Sequence, residues 1–156
     1  MSNNPADSSP ITDFPPATKG ASSAPDQATL LAAGPSGFFK LALYHQGLRL
    51  GWLGQNNSEW AILVANENQA LTLENYPYNN VTYYRVKGSD RYMSVSKNAY
   101  IGFYGWLYAS GFTLSDGHLV SDYNKQKLSL YSKDNGYLYA WDGQDYTVLK
   151  VKFEAA

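Results

Sequence analysis

The chain contains no cysteine. That excludes disulfide staples, a CxxC metal site and a thiol nucleophile. It leans toward a reducing compartment, although a secreted domain of this size can fold without disulfides. Charge is scarce too: 16% of residues are Asp, Glu, Lys or Arg, and the formal net charge is −1. Such a chain offers no basic field to a phosphate backbone, so nucleic acid is not expected as its partner. Histidine occurs twice, as His45 and His118, and neither stands in a zinc-ligand spacing. There is no Gly-rich phosphate loop and no nucleophile-elbow motif. The acids that glycoside hydrolysis would need, Asp90, Asp122, Asp134 and Asp142, lie in turn-like stretches where Asp has ordinary structural uses. No apolar run approaches the roughly 20 residues that span a bilayer. The opening Met1-Ser2-Asn3-Asn4-Pro5 lacks the basic start and apolar core of a signal peptide. These absences predict a non-enzymatic protein with no cofactor and no metal, not inserted in membrane. Its expected location is cytoplasmic, or outside the cell after release without a conventional signal peptide.

What the chain does have is rings. Fourteen Tyr, 4 Trp and 6 Phe, with 13 Gly, favour an all-β domain, because aromatic side chains suit a pleated, half-buried surface and Gly suits tight turns. Composition breaks near residue 36. Pro5, Pro10, Pro15, Pro16, Pro25 and Pro35 all precede it, among Ser, Ala and Thr. A segment of that kind buries too little apolar area to offset its ordering entropy, which predicts a flexible or loosely docked arm over 1–36. Within it, Asp26 could cap a short helix ended by Gly34-Pro35. The domain proper is expected over 37–156.

Past the break, short alternating runs are separated by turn residues, with no helix-period stretch. They form three sets of four: 38–45, 48–54, 60–65 and 70–74; 81–86, 92–96, 100–106 and 111–115; 118–123, 127–132, 137–141 and 146–153. One stretch is repeated. Ser94-Val95-Ser96 and Asn98-Ala99-Tyr100-Ile101 are echoed by Ser129-Leu130-Tyr131 and Asn135-Gly136-Tyr137-Leu138, with Tyr100 and Tyr137 a period of 37 apart. Such a period signals one supersecondary unit used more than once. Leu71-Thr72-Leu73, Phe112-Thr113-Leu114 and Tyr146-Thr147-Val148 close the three sets alike. Asn135-Gly136 is the residue pair preferred in two-residue hairpin loops.

On these residues the chain resembles the β-trefoil superfamily, and within it the small lectin-like members, with repeats at about 38–79, 80–117 and 118–154. The Gln-x-Trp triplet of ricin-type repeats is missing, so that family's sugar-contact scheme does not transfer. The resemblance implies a barrel of strands closed by a triplet of hairpins, which removes exposed sheet edges. A two-sheet sandwich makes the same demand for short alternating strands.

Period two puts Tyr137, Tyr139 and Trp141 on one strand face and Leu138 and Ala140 on the other. The echo does the same with Tyr104 and Trp106 against Ile101 and Phe103. If the aliphatic face is the core, the rings look outward, where they can stack on the C–H face of a sugar beside carboxylates and amides. Otherwise both faces are buried and the rings are core. Asp122 and Asn124 in one turn, Asp142 after Trp141, and Asp90 in the second unit are the polar companions. The expected partners are therefore glycans or glycoproteins, with avidity from several sites per chain or from a homo-oligomer. The alternative is a protein-binding module, such as a trefoil-type protease inhibitor or a host-targeting toxin. It would use the loops 55–59 or 76–80, the latter stiffened by Pro77.

Overall fold

The computed structural model describes residues 5–7, 15–19, 37–131 and 136–156. It is all-β. Thirteen strands run through the described residues, accompanied only by single 3-10 turns. They are β1 (Phe38–His45), β2 (Leu48–Gln55), β3 (Ala61–Val64), β4 (Leu73–Tyr78), β5 (Val81–Val86), β6 (Tyr92–Val95) and β7 (Ile101–Tyr104). There follow β8 (Phe112–Ser115), β9 (His118–Ser121), β10 (Leu128–Tyr131), β11 (Leu138–Ala140), β12 (Tyr146–Val148) and β13 (Lys150–Ala155).

Six of these strands close on themselves. β1 pairs with β4, β4 with β5, β5 with β8, β8 with β9, β9 with β13, and β13 returns to β1. All six pairings are antiparallel, so within this ring no strand is left at an edge. The ends of the ring meet: the Ala156 N–H donates to the Phe38 carbonyl at 2.9 Å. Three two-residue loops serve these strands, Gln46-Gly47, Asn79-Asn80 and Asp116-Gly117, and both residues of each have positive φ. That backbone twist matches the twist of paired strands, which is why Asn, Asp and Gly dominate there.

The hairpins β2–β3, β6–β7 and β10–β11 stand beside the ring and share one register. Leu53 faces Leu63, Met93 faces Phe103, and Leu128 faces Ala140. They are tied to one another cyclically. The Glu59 carbonyl accepts from Phe103 N–H, that of Ala99 from Ala140 N–H, and that of Gly136 from Leu63 N–H, at 2.9–3.1 Å. Each hairpin thus satisfies backbone groups of the next. Their aliphatic sides, including Leu53, Met93, Ile101, Leu128 and Leu138, complete the main core with Phe39, Leu41 and Phe112 from the ring.

Three expectations need adjusting. The fourth run of the first set begins later than 70–74: Leu71 N–H donates to the Leu53 carbonyl and Thr72 accepts from Lys87 N–H ahead of the strand, while 73–78 pairs along β5. Residues 76–78 are accordingly strand, not loop: Tyr76 is buried, and Pro77 stands opposite Thr82 on a stretch paired on one side only, where its missing N–H leaves no ladder position empty. The last run divides at Leu149. β12 pairs with β10, β13 pairs with β1, and the buried Leu149 between them donates its N–H to Leu128. Asp26, Gly34-Pro35 and Asn135 lie outside the described residues. The described parts of the arm touch the domain: Ala6 N–H donates to the Tyr146 hydroxyl at 3.0 Å, and Thr18 N–H donates to the Leu107 carbonyl at 2.8 Å.

Candidate functional site

Two adjoining clefts share Asp122. One, of about 290 Å³, is lined by Asn75, Asn80, Tyr84, Phe112, Thr113 and Phe153 among others. The second, of about 210 Å³, lies on the other side of Val81 and includes Lys19, Tyr83, Ser110 and Tyr123. Asp122 follows β9, and its N–H donates to the Gly111 carbonyl at 2.9 Å, which draws that turn against the start of β8. Gly111 has no side chain because there is no room: a Cβ there would sit 2.6 Å from Asp122 Oδ2. The Thr113 hydroxyl donates to Asp122 Oδ1 at 3.1 Å, aiming the carboxylate along the cleft wall. The result is a fixed carboxylate, a hydroxyl and amide side chains around an aromatic floor.

The same carboxylate acts on its neighbours. Burial pushes the Tyr83 hydroxyl above the ordinary tyrosine value, and the negative charge of Asp122 adds to the effect. Burial pulls the Lys19 amine below its ordinary value, opposed by the attraction of Asp122. Tyr84, under the cleft, is raised by burial alone.

The remaining sequence-derived residues divide into three groups. Asn124 and Asp142 are tied down. Asn124 donates to the Ala140 carbonyl at 2.8 Å and accepts from Gln126 N–H at 3.1 Å, while Asp142 accepts from Lys127 N–H at 3.3 Å. They join the turn after β9 to the β10–β11 hairpin. Asp90 is exposed in the turn before β6 and lines neither cleft.

The rings form the second group, and here the outward-facing expectation is corrected. Tyr139 has no exposed surface, and Tyr137 and Trp141 are half-buried beside it. The cyclic contact of the three hairpins brings their ring-bearing sides together. Trp60, Tyr100 and Tyr139 form an aromatic cluster, with Tyr104, Tyr131 and Tyr146 packed against it. Ring centroids of Tyr100 and Tyr139 are 4.7 Å apart, and those of Tyr139 and Tyr146 are 5.2 Å. Both faces of β11 are covered.

Trp106 is the third case. β7 ends at Tyr104, and Gly105 begins a 3-10 turn over Trp106–Tyr108, so Trp106 leaves the strand face. It is buried against Tyr76, Tyr83 and Tyr92, with centroids 4.8–5.6 Å away. Tyr104, half-buried, turns instead toward Trp60 and Tyr108. Of the nine residues expected to bind, the two clefts recruit Asp122 alone.

Sequence reasoning missed Thr113, Tyr83 and Lys19. Thr113 carried a signal, since it was already marked as the Thr of a repeated closing strand. Lys19 carried none. Among the described residues no group of three or more His, Cys, Asp or Glu side chains stands ready to hold a metal ion. No helix among them is long and apolar enough to cross a membrane. Comparison with known protein families, with curated proteins and with solved structures finds no match for this chain.

Proposed function

We propose that this chain is a β-trefoil and a non-enzymatic, carbohydrate-binding protein of the lectin kind, with the Asp122 cleft as its sugar site. The fold reading is supported by the six-strand ring and by the cyclic bonds among the three hairpins. The binding reading rests on one observation: an Asp122 carboxylate oriented by the Thr113 hydroxyl at the wall of a cleft that also presents Asn75, Asn80 and aromatic side chains. Sugar hydroxyls pair with a carboxylate and amides, and the C–H face of the ring packs on aromatic surface. A single open site of this size binds weakly, so strength comes from presenting several sites together, on an oligomer or against a clustered glycan of a glycoprotein.

A glycan array tests the reading, followed by titration of the best ligand into Asp122→Asn. The expected result is a saturable ligand whose binding is lost in the variant while the thermal melt is unchanged. A folded wild-type protein that binds nothing on the array would sink it. The protein-binding alternative also has a specific observation in its favour, the seating of the chain's own arm as an extended segment beside Asp122. Inhibition assays against a protease panel test its inhibitor form.

A further inference from the structure

The Leu107 carbonyl within the Trp106–Tyr108 turn and the Ala109 carbonyl just after it are both taken up by the arm, beside the second cleft. Thr18 N–H and Lys19 N–H both donate to the Leu107 carbonyl, at 2.8 and 3.2 Å. The Thr18 hydroxyl donates to the Ala109 carbonyl at 2.6 Å, and Lys19 Nζ donates to the same oxygen at 2.9 Å. Lys19 Nζ also lies 4.6 Å from the centre of the Tyr83 ring and 5.4 Å from that of Trp106. The backbone N–H groups of the two-residue segment are met by Leu107, and its hydroxyl and ammonium share the Ala109 carbonyl, the ammonium facing two rings as well. Aromatic faces and carbonyl oxygens attract an ammonium, and Asp122 adds a formal charge of the right sign.

We propose that the Leu107 and Ala109 carbonyls, Tyr83, Trp106 and Asp122 form a receptor for an extended peptide carrying Thr-Lys, which Thr18 and Lys19 occupy in cis and the same two residues of a second copy, the segment already shown to fit, occupy when the arm leaves. The arm is then a competitor built into the chain. Its hold is modest, because burying the ammonium costs more than Asp122 returns, as the lowered Lys19 pKa records. A tethered competitor nonetheless acts at an effective concentration in the millimolar range, enough to mask the site from a weak free peptide. The proposal does not depend on the carbohydrate reading. Glycan binding and peptide binding are read by separate titrations, although Asp122 borders both clefts.

The test uses the full chain with Lys19→Ala, which vacates the ring-lined position without removing the arm. The probe is an end-blocked peptide of residues 15–19, Pro-Pro-Ala-Thr-Lys, titrated by calorimetry and followed by the indole N–H resonance of Trp106. The variant is expected to bind it saturably, and at least about tenfold more tightly than wild type does, since wild type carries the competitor. Replacing the peptide lysine by glutamine, which keeps a donor for the Ala109 carbonyl and loses the ammonium over the two rings, is expected to weaken binding about threefold or more. An unchanged thermal melt checks that the variant is folded. No binding to the folded variant at millimolar peptide, or equal binding of the glutamine peptide, overturns the proposal. So does binding of glucosamine in place of the peptide. Sedimentation across a concentration series identifies the source of the segment. Self-association abolished by Lys19→Ala supports exchange of arms between copies, and a wild type monomeric throughout overturns it.

Discussion

Trp60 lies over Gly102, so closely that a Cβ at 102 would stand 2.8 Å from a carbon of the indole. The two residues are bridged across the junction between β3 and β7. The corresponding junctions are Tyr100 with Tyr139 and Tyr137 with Ile62, so a large ring meets a different partner each time. Where the ring is largest, the partner has no side chain at all. Gly102→Ala is expected to destabilise the protein by about 1–3 kcal/mol, the usual cost of overpacking. Trp60→Leu in the same chain should recover part of that loss, which urea denaturation of the double-mutant cycle would reveal. Additive effects would mean that the contact does not set the residue at 102.

Alkali should unfold this protein through its tyrosines. Burial raises the Tyr92 hydroxyl to about 12, with a smaller contribution from Tyr76, and raises Tyr84 further. Above pH 10 the unfolded chain releases these protons while the folded chain keeps them. Folded-state stability is therefore full below pH 10 and declines as pH climbs toward 12. Phenolate absorbance and far-UV circular dichroism recorded together should show a late group of tyrosines ionising with the loss of structure. Complete ionisation of all tyrosines in a still-folded protein would contradict the burial described for this pair.

Asn124 separates structure from binding. With the Ala140 carbonyl and Gln126 N–H both dependent on it, Asn124→Ala is expected to cost about 1–3 kcal/mol of stability. Glycan affinity of the folded fraction should stay as it was. A variant of wild-type stability with lost binding would return Asn124 to the site.

Thr113→Val removes the hydroxyl that aims Asp122 while leaving an exposed position of similar shape. Affinity for the ligand found on the array should fall about threefold to tenfold, the worth of one hydrogen bond. The thermal melt should move little, and calorimetry measures the affinity.

The strands were readable because alternation and turn residues act locally. His118–Ser121 and Val81–Val86 begin where the spacing predicts, each just after a two-residue loop of Asp, Asn or Gly. Pro77 misled because it usually marks a turn, and only the one-sided pairing of β4 explains its place. The ring-bearing face of β11 was readable as a face, but the sequence left open whether it looked outward or into the core. Period two says which side chains travel together, but what covers them is decided by the other two hairpins, remote in sequence. Trp60 escaped notice for the same reason. It occupies the place of Tyr100 and Tyr137, yet differs from them in type and stands behind the loop 55–59, and only the cyclic backbone bonds reveal the equivalence. Lys19 was the least legible, since a lysine in a Pro- and Ala-rich stretch has no pattern to read.

Because the Phe38 carbonyl already receives the Ala156 amide, the order in which the ring is threaded is a matter of convenience. A gene rewired to fuse 156 to 38 through a few glycines, and reopened between Asp116 and Gly117, would encode the same six neighbours in a new sequence. Such a circular permutant should recover the native β spectrum and melt cooperatively, with the break costing it one tight turn.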